Sequence, residues 1–460
     1  MEDEKSLHVV MFPWLAFGHM IPFLELSKAL AKRGHHITYV STSRNLKRLP
    51  PLPPHLTQTI TFVALPFPSI DGLPDQAEAT SDLPVESVEY LKRAYDELKT
   101  PITTLVSARR PDWIIHDFAS YWLPDVASEL DVPCAYFSTF PAAVLAVWEP
   151  CLKLSSRCAP PEELLERLTS PPELADFPTK VANLPFEAKQ LLDFCFTVNA
   201  SGVSDALRLE TSIRSSRALL VRSIHEIESD WFSLLAKLYE TRIIPVGLLT
   251  PSAEEDSTRE DYPKVFEWLD KQPPKSVVYV AFGSEAHPSR EQARELALGL
   301  EASGLSFFWV TRLINARDTW MPSGFEERIK GRGFIQKGWA PQMKILAHKA
   351  IGGFMTHSGW GSLIEVMQFG IPLVFFPMMF DQGINARVFG EKGIGVEVPR
   401  DRLDGSVTSD DVAKTLRLVM VEEGGAGIRG KVGELKSVFG DKGLQGRYVD
   451  ELVRLLKETT

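Results

Sequence analysis

Acid–base chemistry in this chain can begin from a histidine and a carboxylate. His19 closes the loop "PWLAFGH" just ahead of a helical pattern, and Asp117 closes the strand-like "PDWIIHD". A histidine at a helix start resists carrying charge, because the positive end of the helix macrodipole opposes a cation there. Its neutral ring can accept a proton. A carboxylate on the other ring nitrogen would fix the tautomer and stabilise the imidazolium. His116 is a rival, but strand alternation turns it to the face opposite Asp117.

A second stretch, "FMTHSGWGSLIE" at 354–365, combines a titratable ring, an indole, glycines and a carboxylate. It reads as the strand "IGGFMTH", the turn "SGWG" and the helix "SLIEVMQF". Ligands of open α/β sheets bind beyond the carboxyl ends of strands. A helix start there offers unpaired N–H groups to an anion, and small residues let a phosphate approach the backbone. Ser362 and Glu365 also fit an S-x-x-E capping box, and His357 and Trp360 each fit an ordinary packing role.

The elements that must hold these residues follow a βα rhythm. "LHVVMF" is a strand, "PWLAFGHM" a loop, "IPFLELSKALAKR" a helix with Pro22 near its first turn and Gly34 at its end, and "HITYVST" the next strand. "PDWIIHD" and "DVPCAYFST" read as further strands, and "ALLVRS" as the last of this half. Residues 141–205 lack a clear period and read as loops and short helices. "LLTPSAEEDSTREDYP", 248–263, is polar, acidic and Pro-flanked, as a linker is. A second series follows. "SVVYVAFGS" is a strand, and Ser289 with Gln292 caps a helix carrying Ala293, Leu296, Ala297 and Leu300 on one face. "LSFFWVT", "GFIQKGW", "IGGFMTH" and "IPLVFFP" are strands, and "GRYVDELVRLLKE" is an amphipathic helix.

Composition narrows the function class. The chain has 460 residues, 44% hydrophobic and 24% charged, enough for two large α/β domains. A net charge of −10 opposes a polyanion-binding surface, so no nucleic-acid partner is expected. The acidic start "MEDEKS" does not read as a signal peptide, so none is expected, and "IPLVFFPMMF" is about half the length of a spanning helix. Four cysteines, Cys134, Cys151, Cys158 and Cys195, show no CxxC spacing and read as reduced, mostly buried thiols. Ten histidines lack HExxH spacing, and no metal is expected. No GxSxG elbow supports a serine hydrolase.

From Trp339 to Gln382 the chain reads "WAPQMKILAHKAIGGFMTHSGWGSLIEVMQFGIPLVFFPMMFDQ". This resembles the signature box of plant family 1 UDP-dependent glycosyltransferases. W-A-P-Q, H-x-G-W, S-x-x-E, G-x-P and the closing D-Q all fall in the family's register, and the N-terminal GH loop and "SVVYVAFGS" extend the likeness over the whole chain. The resemblance implies an α/β chain of two Rossmann-like domains facing a cleft, the GT-B fold. The boundaries expected are 1–247 for the acceptor domain, 248–263 for the linker, 264–442 for the UDP-sugar domain, and 443–460 for a helix returning to the first domain.

The resemblance also implies roles. Trp339 stacks on the uracil, Ala340 (backbone) and Gln342 bond the uridine edge, and Glu365 accepts from both ribose hydroxyls. His357, Ser362, the turn amides and Ser284 hold the diphosphate. Asp381 and Gln382 grip the donor sugar, assisted by the Trp360 backbone, and His19 with Asp117 forms the catalytic dyad. Two positions depart from the pattern. Ser358 stands where Cys is usual. Gly361 stands where an Asn amide usually reaches the β-phosphate, a variation familiar among members that extend sugar chains.

The expected reaction is inverting O-glycosyl transfer from UDP-glucose, a co-substrate, without metal or other cofactor. The expected acceptor is a sugar hydroxyl on a flavonoid or terpenoid glycoside. Alternatives are an aglycone O-glucosyltransferase acting on a phenolic or xenobiotic, UDP-rhamnose as donor, a UDP-sugar epimerase, and a non-catalytic nucleotide-sugar-binding protein. A cytoplasmic monomer without a transmembrane segment is expected.

Overall fold

The structure is a computed structural model that describes residues 6–155, 157, 159–172, 179–251, 259–283, 285, 287–311 and 321–458. The chain divides into two compact units. The first comprises Met1–Lys180, Leu191–Thr250 and Lys442–Thr460, and the second Val181–Gln190 and Pro251–Asp441. The segment 181–190, read from sequence as part of the N-terminal domain, thus belongs to the second unit. Most of the acidic linker, 252–258, lies outside the described residues, and a helix begins at Pro263 within the stretch read as linker.

The first unit is built on seven parallel strands: β1 (His8–Phe12), β2 (His36–Thr42), β3 (Ile60–Leu65), β4 (Trp113–His116), β5 (Cys134–Ser138), β6 (Ala218–Val221) and β7 (Arg242–Pro245). Their order in the sheet is β3-β2-β1-β4-β5-β6-β7. Both faces are covered, as a parallel sheet requires. Along β1, Val9 and Met11 join the core on one side and Val10 and Phe12 the core on the other. "ALLVRS" is therefore not the last strand, because "RIIP" adds β7 beyond it. The region 141–205 is also more regular than expected. It opens with the helix Ala142–Ser155, which is buried on nearly all sides and so shows no amphipathic period. The Glu228 carboxylate accepts from the Ala142 and Ala143 N–H groups at 3.0 and 2.9 Å, satisfying the start of that helix. The terminal helix Lys442–Lys457 packs Leu452 and Leu456 into this unit's core, and Trp113 Nε1 donates to the Leu456 carbonyl at 3.0 Å.

The second unit holds six parallel strands: β8 (Val277–Ala281), β9 (Ser306–Thr311), β10 (Gly333–Lys337), β11 (Ile351–Thr356), β12 (Leu373–Phe375) and β13 (Gly395–Glu397). The order is β10-β9-β8-β11-β12-β13. The helix Arg290–Ser303 opens on the expected capping box of Ser289 and Gln292 and buries Ala293, Leu296, Ala297 and Leu300 against the sheet. Among the described residues Cys134 and Cys151 are buried thiols whose pKa values burial pushes up to about 11 and about 12. Cys158 lies outside them. Among the described residues no helix is long and apolar enough to cross a membrane.

Candidate active site

In each sheet the strand order reverses between two central strands, β1 and β4 in the first unit and β8 and β11 in the second. Loops leaving the carboxyl ends of such strands diverge, opening a crevice for ligand. His19 and Asp117 follow two of those strands in the first unit, and His357 to Glu365 follow β11 in the second, whereas Trp339, Ala340 and Gln342 follow β10 and Asp381 and Gln382 follow β12.

In the first unit Phe12 pairs with His116 at the carboxyl ends of β1 and β4, so the segments after the two strands start side by side. The helix Phe17–Ala31 begins earlier than the sequence pattern implied, and His19 is its third residue. His19 Nδ1 and Asp117 Oδ2 lie 2.9 Å apart. Asp117 is buried, and its carboxylate also accepts from the Trp14 N–H at 3.0 Å and the Phe118 N–H at 2.7 Å. Three donors fix the orientation of this carboxylate. It thereby sets His19 as the Nδ1–H tautomer, whose lone pair sits on Nε2. Thr139 Oγ1, 3.4 Å from Nδ1, and the edge of Phe140 frame the ring from β5's end. Sequence reasoning missed Thr139, which has no local signal. His116 faces the other way: its Nε2 meets Ser216 Oγ at 2.8 Å, and burial pushes its pKa down to about 4.

In the second unit β11 ends at Thr356, His357 follows, and Ser358 takes a left-handed backbone conformation (φ 69°). That strained turn feeds the helix Trp360–Met367, whose N-cap is Gly359. The helix starts two residues before the expected Ser362. Ser362 is its third residue, not its cap, so the predicted Ser362–Glu365 capping box does not form. The N-cap lacks a side-chain acceptor, which leaves the first-turn N–H groups pointing out of the helix end. His357 is half-buried, and desolvation lowers its pKa to about 4. A Cβ on Gly359 would stand 2.5 Å from His357 Nε2, and one on Gly283, after β8, 2.9 Å from the same atom. The ring thus lies between two glycines, which explains the glycine ahead of Trp360. The Trp360 indole packs edge-on against Phe389 at 5.7 Å, leaving only its backbone at the helix start.

Around this helix end, Gln342 Nε2 donates to Glu365 Oε2 at 2.8 Å. Ala340 is buried, while Trp339 is 58% exposed, an indole face of the kind that a planar ring covers. Gln382 opens the helix Gln382–Glu391, and its Oε1 accepts from the Met378 and Met379 N–H groups at 2.9 and 3.1 Å. Its amide nitrogen is therefore the end that can meet a ligand. The Asn385 amide donates to Asp381 Oδ2 at 2.6 Å and to the Ser358 carbonyl at 3.1 Å, joining the two loops. Asn385 was not singled out from sequence, although it stands one helical turn beyond Asp381 and shares its face. Ser284 lies outside the described residues.

A family model described as UDP-glucoronosyl and UDP-glucosyl transferase matches residues 255–436. UDP-glycosyltransferase 91C1 of Arabidopsis thaliana is 44% identical over 99% of this chain and 97% of its own. The chain belongs to the plant family 1 UDP-glycosyltransferases. It is also similar to the Soyasaponin III rhamnosyltransferase of Glycine max, 38% identical over 99% of this chain and 96% of that one. Among solved structures, Glycyrrhiza uralensis UGT73P12, complexed with glycyrrhetinic acid 3-O-monoglucuronide, superposes with a TM-score of 0.83. That match is 25% identical and covers 99% of this chain and 96% of that one. The fold is GT-B, the family's two-domain α/β architecture. As a UDP-glycosyltransferase the chain is an enzyme, which sets aside the epimerase and the non-catalytic binder.

Proposed function

We propose that this UDP-glycosyltransferase moves glucose from UDP-glucose, with inversion, onto a sugar hydroxyl of a flavonoid or terpenoid glycoside. The observation that carries the reading is the 2.9 Å His19–Asp117 pair, a histidine whose tautomer a carboxylate fixes, in a chain of this family. His19 Nε2 takes the proton of the acceptor hydroxyl. The oxygen attacks the anomeric carbon opposite the phosphate, the bond from that carbon to the phosphate oxygen breaks, and UDP leaves. Asp117 stabilises the imidazolium without taking the proton. On the donor side Trp339 stacks on uracil, Gln342 and the Ala340 backbone meet its edge, and Glu365 accepts from the ribose hydroxyls. His357, Ser284, Ser362, Gly361 and the first-turn amides hold the diphosphate, where aligned N–H dipoles receive the leaving group's charge. Asp381 accepts from, and the Gln382 amide donates to, the donor sugar.

Support for a glycosylated acceptor comes from the structural neighbour, whose ligand already carries a sugar. UDP-rhamnose is the second donor reading, favoured by the relative named as a rhamnosyltransferase. The deciding experiment offers UDP-glucose or UDP-rhamnose with paired aglycones and their monoglucosides, read by mass gain. Product from monoglucosides and UDP-glucose supports the reading. Product from aglycones alone replaces it with aglycone transfer.

A further inference from the structure

Residues 181–190 are followed and preceded in sequence by the first unit, yet they pack in the second. A partly buried charge row helps hold them, beside buried Phe186, whose N–H donates to the Arg402 carbonyl at 3.3 Å. Glu187 is 7% exposed, and its carboxylate accepts from the Leu184 N–H at 2.8 Å and pairs with both terminal nitrogens of Arg387. Arg387 also reaches the Glu397 carboxylate at the end of β13, at 3.4 Å. A guanidinium between a buried carboxylate and a half-buried one has little freedom, because each departure would leave a charge without its partner.

This row touches the helix that begins with Gln382. A Cβ on Gly383 would land on the Glu187 carboxylate and on the Arg387 guanidinium, so residue 383 must be glycine for Glu187 to lie against the backbone. Gly383 and Arg387 are four residues apart and share one side of that helix. Asp381 and Asn385 are likewise four apart and share another. The helix start is thus held on two sides, by Asn385 bridging to Ser358 and by Glu187 pressing on Gly383.

We infer that Glu187, acting through Arg387 and the backbone at Gly383, is a positioning residue that sets where Asp381 and Gln382 meet the donor sugar. The inference rests on the reading above that these two residues contact that sugar. A charged pair held in one geometry fixes the adjoining backbone, and small displacements of a binding group cost affinity steeply. The brace acts on the sugar end of the donor and leaves the uridine end to Trp339, Gln342 and Glu365.

Calorimetry of the full chain with UDP and with UDP-glucose tests this, because only the second probe carries the sugar. Glu187→Gln keeps volume and the Leu184 bond but loses the charge-assisted pair. We expect it to weaken UDP-glucose by about fivefold or more while UDP changes by less than about twofold. Arg387→Lys, which keeps charge without the fork, should show the same selective loss. A parallel weakening of both probes, or no change in either, overturns the brace, and a thermal melt of each variant reports folding. Asp381→Ala separates the two claims. If it removes the sugar's contribution and Glu187→Gln does not, the brace falls and the sugar assignment stands. If Glu187→Gln is selective and Asp381→Ala is silent, the brace stands and the Asp381 assignment falls. If neither is selective, both fall.

Discussion

Gln342 donates its side-chain amide to the Glu365 carboxylate at 2.8 Å, joining the segment after β10 to the helix after β11. Glu365 lies in the second turn of its helix and does not cap it. Its charge therefore has no helix-terminal role. Glu365→Gln should leave the melting temperature of the free protein nearly unchanged. It should weaken UDP by roughly 1–3 kcal/mol, the scale of hydrogen bonds to charged groups. Calorimetry and a ligand-free melt check both parts. A lowered melt with unchanged UDP affinity would make the carboxylate structural.

His19 belongs to the first unit and the diphosphate turn to the second. His19→Ala should therefore cut transfer by ~10²–10⁴, the usual cost of a lost general base, with UDP binding retained. Asp117→Asn should behave differently. The carboxylate also accepts two backbone N–H groups, so this variant should lose transfer and about 1–2 kcal/mol of stability together. Single-turnover mass gain and denaturant melts separate the two profiles. Turnover of His19→Ala within about threefold of the parent would reject the dyad.

His116 offers a pH test away from catalysis. It is fully buried and its pKa falls from 6.5 to about 4, chiefly through desolvation, with Asp117 opposing. A depressed histidine binds its proton in the unfolded chain first. Its contribution is thus complete above about pH 6.5 and is lost as pH falls toward about 4, on the order of 3 kcal/mol in all. His116→Gln, which can still bond Ser216, should flatten that part of the acid-stability curve. His357, also lowered to about 4, keeps its own share in both proteins. Equal slopes for parent and variant between about pH 7 and 4 would show that His116 is not the group responsible.

The parts legible in sequence were those with local signals. β4 and β11 are short apolar runs ending in polar residues, so Asp117 and His357 could be placed at strand ends directly, and the loop "PWLAFGH" placed His19 near a helix start. The opposite facing of His116 followed from alternation alone. The helix Ala142–Ser155 stayed hidden because burial on all sides erases the amphipathic period. The early helix start at Trp360 was misread because its cap is a glycine, whereas Ser362 and Glu365 imitate a capping signature one turn later. Placing 181–190 in the second unit depends on Glu187 and Arg387, 200 positions apart, and no window of sequence contains both.

Gly361 is the second residue of the helix that begins at Trp360, and its backbone is helical. A need for left-handed backbone is therefore not the reason for glycine at this position. Ser358 takes the left-handed turn instead. A side chain at 361 stands in the first turn, among the N–H groups proposed to meet the diphosphate. Asparagine is no worse than glycine in helix propensity, so the fold should accept it. Gly361→Asn should add one donor and tighten UDP by about 0.5–1.5 kcal/mol, the net worth of a hydrogen bond. Calorimetry of UDP with both proteins decides it. Equal or weaker binding, with an unchanged melt, would mean that the diphosphate needs the space above Gly361 and that close backbone approach is what the glycine provides.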